Sequence, residues 1–357
     1  MTIPTVPPPE PSAPPGLVDF HSHVYPRLMI EQYKKRDQMP RISGEIGDER
    51  FIIFPVEENS PEQGRPVPSR HWDLDQKLAF MDAHGISHSV VTIGNPWTAP
   101  FAAELAVPLA SQLNDFLVTM QRGSNGRLLG LGVVPEDAPR SAIDGLAAVA
   151  ERTNLHGIVI GSRLAGHYLD AAALADFWRV TEEAGLVVML HPHYGLGLEE
   201  MDGFGRSLSG SLGFPFETTL ALCRLTFAGV LDRHPRLRLV AAHGGGALPY
   251  LMGRIDAGWR GDKAAQVAIS VPPSEYLSRI YVDGLVFTER ALRAAVDFVG
   301  PERVVFGTDH PFRTDPAPNI AALRALGPEH QQMISRGNAF RLLGLPDDAS
   351  LTPEDLR

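Results

Sequence analysis

Cysteine is almost absent: Cys223 stands alone in 357 residues, so no disulfide can form within the chain, and the reading is a protein of the reducing cytoplasm. Cys223 lies in an apolar, helix-like run and reads as a small core residue. Basic residues are in deficit, with 32 Lys and Arg against 42 Asp and Glu and a net charge of -10. That argues against broad binding of a phosphate backbone, which needs clustered Lys and Arg. Nowhere do about 18 apolar residues run without a charge, so no membrane span is expected. The start MTIPTVPPPEPSAPPG has no basic stretch leading into an apolar one and does not read as a signal peptide. Its prolines describe a solvated polyproline-like tail over residues 1–15.

What remains is ordinary for a folded protein, 44% hydrophobic and 21% charged, and long enough for one large α/β domain over residues 16–345, with a short C-terminal tail at 346–357. Short runs rich in Val, Ile and Leu recur at 16–20, 88–93, 127–133, 157–160, 186–190, 237–242, 280–282 and 303–306. Helical segments separate them, for example 141–151, 171–184, 216–233 and 288–299. That alternation is the pattern of buried parallel strands joined by crossover helices, in a closed barrel or an open doubly wound sheet. A stretch rich in Pro, Gly, Arg and Glu at 27–70 is too long for an ordinary connection and is expected to be an insertion, a small lid or β-subdomain over the barrel mouth.

The ends of the apolar runs decide the fold. VDFHSH closes the first with His21 and His23, which the period-two alternation of a strand points to one side. VVMLHPHYG closes the fifth with His191, VAAHGGG the sixth with His243, and VVFGTDHPF the eighth with Asp309. In parallel barrels, groups at the carboxyl ends of different strands converge on one site. Three neutral imidazoles and a carboxylate suit one divalent ion, Zn2+ first and Mn2+, Fe2+ or Co2+ where positions stay open. His243 is either a further imidazole ligand or the acid/base beside an ion-activated water; a catalytic site keeps a position for water, which favours the second role.

VDFHSH, the HP of LHPHYG, AAHGGG with GRID behind it, and FGTDHPF resemble, in order and spacing, the branch of the amidohydrolase superfamily that contains α-amino-β-carboxymuconate-ε-semialdehyde decarboxylase. The resemblance spans residues 17 to 345 and is densest from Phe214 to Phe312. It implies a distorted (β/α)8 barrel, a single ion on His21, His23, His191 and Asp309, and His243 acting on the water. By motif it also implies that Arg254 of GRID reaches a substrate carboxylate across a dimer interface, and that Arg65 of GRPVPSRHWD binds a carboxylate. Phe312 in the DHPF segment joins them as an expected substrate contact. The chain's lysines, Lys34, Lys35, Lys77 and Lys263, all lie away from the fourth apolar run, where the two-ion members of the superfamily carry a bridging carbamylated lysine. His193 stands where the named decarboxylase has Trp, and His310 where it has Tyr. His193 is therefore open as a substrate contact, an extra acid/base or a surface residue.

The implied reaction is non-oxidative decarboxylation of a small hydroxylated or amino-substituted unsaturated or aromatic carboxylate, needing no organic cofactor. The alternative is hydrolysis or hydration of an ester, lactone, amide or alkene by the activated water. The expected partners are that small carboxylate and a second copy of the chain, as a homodimer or higher oligomer.

Overall fold

The computed structural model describes residues 16–58, 63–152, 154–193, 195–204 and 206–346. The expected N-terminal tail, and all of the C-terminal tail but its first residue, lie outside these. Eight strands form one sheet in sequence order: β1 (Leu17–Val24), β2 (Ile86–Ile93), β3 (Leu128–Gly132), β4 (Leu155–Ile160), β5 (Val187–Leu190), β6 (Arg238–Ala241), β7 (Tyr281–Asp283) and β8 (Val304–Val305). Every neighbouring pair is parallel. The sheet curls into a nearly closed barrel whose seam is bridged between Ser22 and His310, with Phe20 N–H on the Phe306 carbonyl (2.8 Å) and His23 N–H on the His310 carbonyl (2.7 Å).

All eight apolar runs become barrel strands, because strands covered on both faces must be apolar along their length. β5 (VVML) is buried at every position. Burying each such side chain contributes about 1.5–3 kcal/mol. The outer helices carry the complementary stripe. In Glu289–Val299, Leu292, Ala295, Val296 and Val299 recur at helical spacing and are buried, and the Thr288 side chain caps the start by accepting from Ala291 N–H. The run expected as one helix over 216–233 is two, Phe214–Phe227 and Val230–Arg233, split where Gly229 takes φ 72°. Cys223 is partly buried against the core, and burial pushes its thiol up to about 11.

After β1 comes a helix, Arg27–Lys34, and then a three-stranded antiparallel sheet of Arg41–Ser43, Arg50–Ile52 and Arg65–Pro66. Among its described residues the insertion thus contains a small antiparallel sheet. No described helix is long and apolar enough to cross a membrane.

Candidate functional site

The carboxyl ends of β1, β5, β6, β7 and β8 meet at one mouth of the barrel. His21 and His23 are two residues apart on β1 and fully buried, and His191 follows the last residue of β5. Each imidazole is held by its Nδ1. His21 Nδ1 lies 2.5 Å from Asp283 Oδ2, and His191 Nδ1 lies 2.8 Å from the Pro192 carbonyl. His23 Nδ1 lies 2.7 Å from the Thr92 hydroxyl, which itself donates to the Ser22 carbonyl at 3.3 Å. A carboxylate and a carbonyl only accept, and a hydroxyl whose proton is committed elsewhere accepts too, so all three protons sit on Nδ1. The Nε2 lone pairs are left facing inward.

Nitrogens of the three rings lie within 4.8 Å of one another, and the Nε2 atoms of His21 and His23 are 3.0 Å apart. Asp309 Oδ1 stands 3.5 Å from His23 Nε2 and 3.7 Å from His21 Nε2. Converging lone pairs beside a carboxylate repel unless a cation lies between them, and nitrogen with oxygen is a borderline donor set. The residues therefore fit one divalent ion. Burial, helped by the charge of neighbouring histidines, holds His23 and His191 well below the usual imidazole range, so both are neutral. At His21 burial is outweighed by Asp283, which raises the imidazole while its own carboxyl is held down at about 2.

Asp309 takes φ 63°, a left-handed conformation that few residues other than Gly adopt but that Asp tolerates. A buried scaffold holds it there. Its N–H donates to the His21 carbonyl at 2.8 Å. Asp19 accepts from His21 N–H (3.1 Å), Thr308 N–H (3.0 Å) and the Thr308 hydroxyl (2.7 Å). On the far side, Lys77 is fully buried and reaches His310 Nδ1 at 3.0 Å, and the His310 ring stacks on Phe80.

His243 occupies the turn after β6 with φ 58° and donates its N–H to Asp283 Oδ2 at 3.0 Å. The following Gly246 is required, because a Cβ there would meet the Pro215 carbonyl at 2.3 Å. The His243 ring lies 5.3 Å from that of His21 and 5.5 Å from that of His191. Its Nδ1 is buried and has no hydrogen-bond partner among the described residues. Burial, reinforced by the His21 charge, lowers its pKa.

Above this floor opens a cavity of about 860 Å³ lined by His191, His243 and Asp309 and walled by Phe214, Phe312 and Leu285. Of the expected substrate contacts, Phe312 lines it with its ring 5.4 Å from that of His23, and Arg65 lines it while donating to Glu57. His193 does not: its ring packs 4.9 Å from Trp97, close against Gly161, and burial lowers it to about 3. Pro192 ends the strand, so the alternation that would aim His193 with His191 stops there. Arg254 is exposed on the helix Leu248–Gly261 and does not line the cavity of its own chain. Asp283, Thr92 and Lys77 were not anticipated. Asp283 had a signal, a carboxylate closing the apolar run 280–282 as Asp309 closes the eighth.

The sequence pattern of the amidohydrolase family matches residues 18–345. The chain is 32% identical over 290 residues to 2-amino-3-carboxymuconate-6-semialdehyde decarboxylase of Dictyostelium discoideum, covering 79% of each. It is 26% identical to γ-resorcylate decarboxylase of Rhizobium radiobacter over 82% of this chain and 96% of that one. Its fold superposes on the apo crystal structure of Metarhizium anisopliae IDCase with a TM-score of 0.87 and 32% identity, over 94% of this chain and 98% of that one. With a histidine cluster at the carboxyl end of a (β/α)8 barrel and a family pattern running from β1 to beyond β8, the chain belongs to the amidohydrolase family.

Proposed function

We propose that the chain is a carboxy-lyase that removes CO2, without oxidation, from a small aromatic or unsaturated carboxylate bearing a hydroxyl or amino group. The observation that carries this reading is the convergence of three Nε2 lone pairs and Asp309 on the floor of an arginine-lined cavity, in a relative of two named decarboxylases. His21, His23, His191 and Asp309 would hold the ion, which when bound supplies Lewis-acid polarisation of an oxygen beside the leaving carboxylate. The donor set favours Zn2+, with Mn2+, Fe2+ and Co2+ compatible.

The remaining work falls to the chain's own side chains. Arg65 orients the carboxylate, and Phe312 and Phe214 give the ring an apolar wall that excludes water. When the C–C bond breaks, its electron pair stays on the ring carbon, which must gain a proton. His243 is the group placed to deliver it. Neutral in the resting site, its imidazole takes a proton from the substrate or a water before returning it to carbon.

Tyr250, 90% exposed, and Arg254 share the helix Leu248–Gly261 one turn apart, which supports a dimer in which Arg254 serves the neighbouring cavity. The lone cysteine supports a reducing, cytoplasmic setting. The test is incubation of zinc-reconstituted protein with hydroxybenzoates in D2O. CO2 release with one deuterium at the vacated carbon is expected; ester or lactone hydrolysis without CO2 release would replace the reading with hydrolysis.

A further inference from the structure

Of the three imidazoles on the floor of the site, His21 and His23 are held from behind by side chains, Asp283 and Thr92, whereas His191 Nδ1 is held by a main-chain group, the Pro192 carbonyl at 2.8 Å. That carbonyl is one end of a planar peptide unit whose other end, the His193 N–H, donates to Glu217 Oε2 at 3.2 Å. The Glu217 carboxylate, the Pro192–His193 peptide and the His191 ring are therefore consecutive links of one hydrogen-bonded chain. Its far end is the His191 Nε2 lone pair.

The peptide is clamped. Asn95 Nδ2 donates to the His193 carbonyl at 2.9 Å and lies 3.4 Å from the Pro192 carbonyl. Gly161 leaves room for the His193 ring, since a Cβ there would meet its Nδ1 at 2.7 Å. Glu217 is buried in the first turn of the helix Phe214–Phe227, an end that favours an acid. It also accepts from Gly195 N–H at 2.5 Å and from the hydroxyl of Ser162, just beyond β4. Anchoring the loop accounts for those two bonds, and the bond to His193 N–H does something more. An N–H bonded to an anion pushes electron density onto the carbonyl of the same peptide, and linked hydrogen bonds in a buried setting strengthen one another. A more negative Pro192 oxygen holds the imidazole proton on Nδ1 of His191, which leaves Nε2 bare.

We infer that Glu217 is a positioning residue for the ion: acting through the Pro192–His193 peptide, it fixes the tautomer and orientation of His191. The role rests on the ligand set proposed above. It gives His191 the kind of acidic backing that Asp283 gives His21, at one peptide's remove.

Glu217→Gln isolates the charge. Its amide oxygen can take the place of Oε2 and its NH2 can face the Ser162 oxygen, which accepts once the hydroxyl turns, so the loop keeps these bonds and loses the anion. The full chain, stripped of metal, is titrated with zinc against a chelator. The apoprotein, isotope-labelled on its histidine nitrogens, is read by NMR, with the His191 signals identified by their loss in His191→Asn. The glutamine variant is expected to bind zinc about tenfold more weakly, the lower end of the 10–100-fold typical of a group behind a histidine ligand. It should also move part of the His191 proton from Nδ1 to Nε2, which a mere loop anchor would leave in place. Zinc affinity within twofold of the parent, or an unchanged His191 tautomer, overturns the relay; the spectrum, recorded well below the melting point, decides the matter also where the variant melts lower. His191→Asn separates the relay from the reading beneath it. Parental zinc affinity there removes His191 from the ligand set, whereas zinc lost there and kept in the glutamine variant removes the role of Glu217 alone.

Discussion

Asp283→Asn probes the centre through a residue that would touch neither ion nor substrate. The carboxylate is fully buried and accepts four hydrogen bonds, from His21 Nδ1 (2.5 Å) and His243 N–H (3.0 Å) on Oδ2, and from Gly244 N–H (3.0 Å) and Leu285 N–H (3.1 Å) on Oδ1. Every partner is a donor. An amide has one oxygen, so whichever way the substituted side chain turns, its NH2 faces two N–H groups, and each one orphaned costs about 1–3 kcal/mol. With NH2 toward His21 the imidazole must accept at Nδ1 and carry its proton on Nε2, which removes a lone pair from the ion site. With NH2 toward Gly244, the Gly244 and Leu285 N–H groups lose their acceptor while His21 and His243 keep theirs. Loss of a partner behind a histidine ligand typically weakens metal binding 10–100-fold, ~1.4–2.7 kcal/mol. The assay is zinc competition against a chelator, run beside thermal melts with and without the ion. Affinity within twofold of the parent, with parental turnover, would refute the role given to Asp283.

His243→Asn, a residue tolerant of the left-handed conformation, should keep the ion and lower turnover by about 10²–10⁴, the usual worth of a positioned acid/base; steady-state kinetics beside elemental analysis reads both, and a near-parental rate reassigns the proton. Acid should strip the ion. Asp283 raises His21 above the ordinary imidazole value of about 6.5, so protons compete for it from above that pH downward, and zinc affinity should fall by about tenfold per pH unit through that window; an affinity flat between pH 5.5 and 7.5 would contradict this. Mixing Arg254→Ala with Asp309→Ala chains, each inactive alone, should restore about a quarter of parental activity if heterodimers form at random with one intact site each; none in verified heterodimers would place Arg254 outside the chemistry.

The barrel was readable because parallel strands covered on both faces cannot hide their apolar runs, as β5 illustrates. Strand ends were less so. The run at 16–20 stops at Phe20, yet β1 continues to Val24, because His21, Ser22 and His23 are polar and still buried. The side chains that meet at the barrel mouth, His21, His23, His191 and Asp309, were legible as His and Asp at the ends of apolar runs. What escaped was whatever depends on long-range partners. Asp283 closes an apolar run as Asp309 does, but nothing in the sequence says that it holds His21 and the His243 turn from behind. Lys77 lies on the helix Leu74–Ala83, and nothing local says that a lysine there is buried beneath His310.

The seam of the barrel sets an order on the birth of the enzyme. Asp19 and Thr308, bonded across that seam, are 289 residues apart. A ribosome therefore releases His21 and His23 long before Asp309 exists to complete their set, and the emerging chain can hold at most a partial ligand shell. Only the last strand fastens the ring, so under the proposed ligand set acquiring the ion and finishing the fold would be one late event. The proposed ion would then be a clasp joining the beginning of the polypeptide to its end.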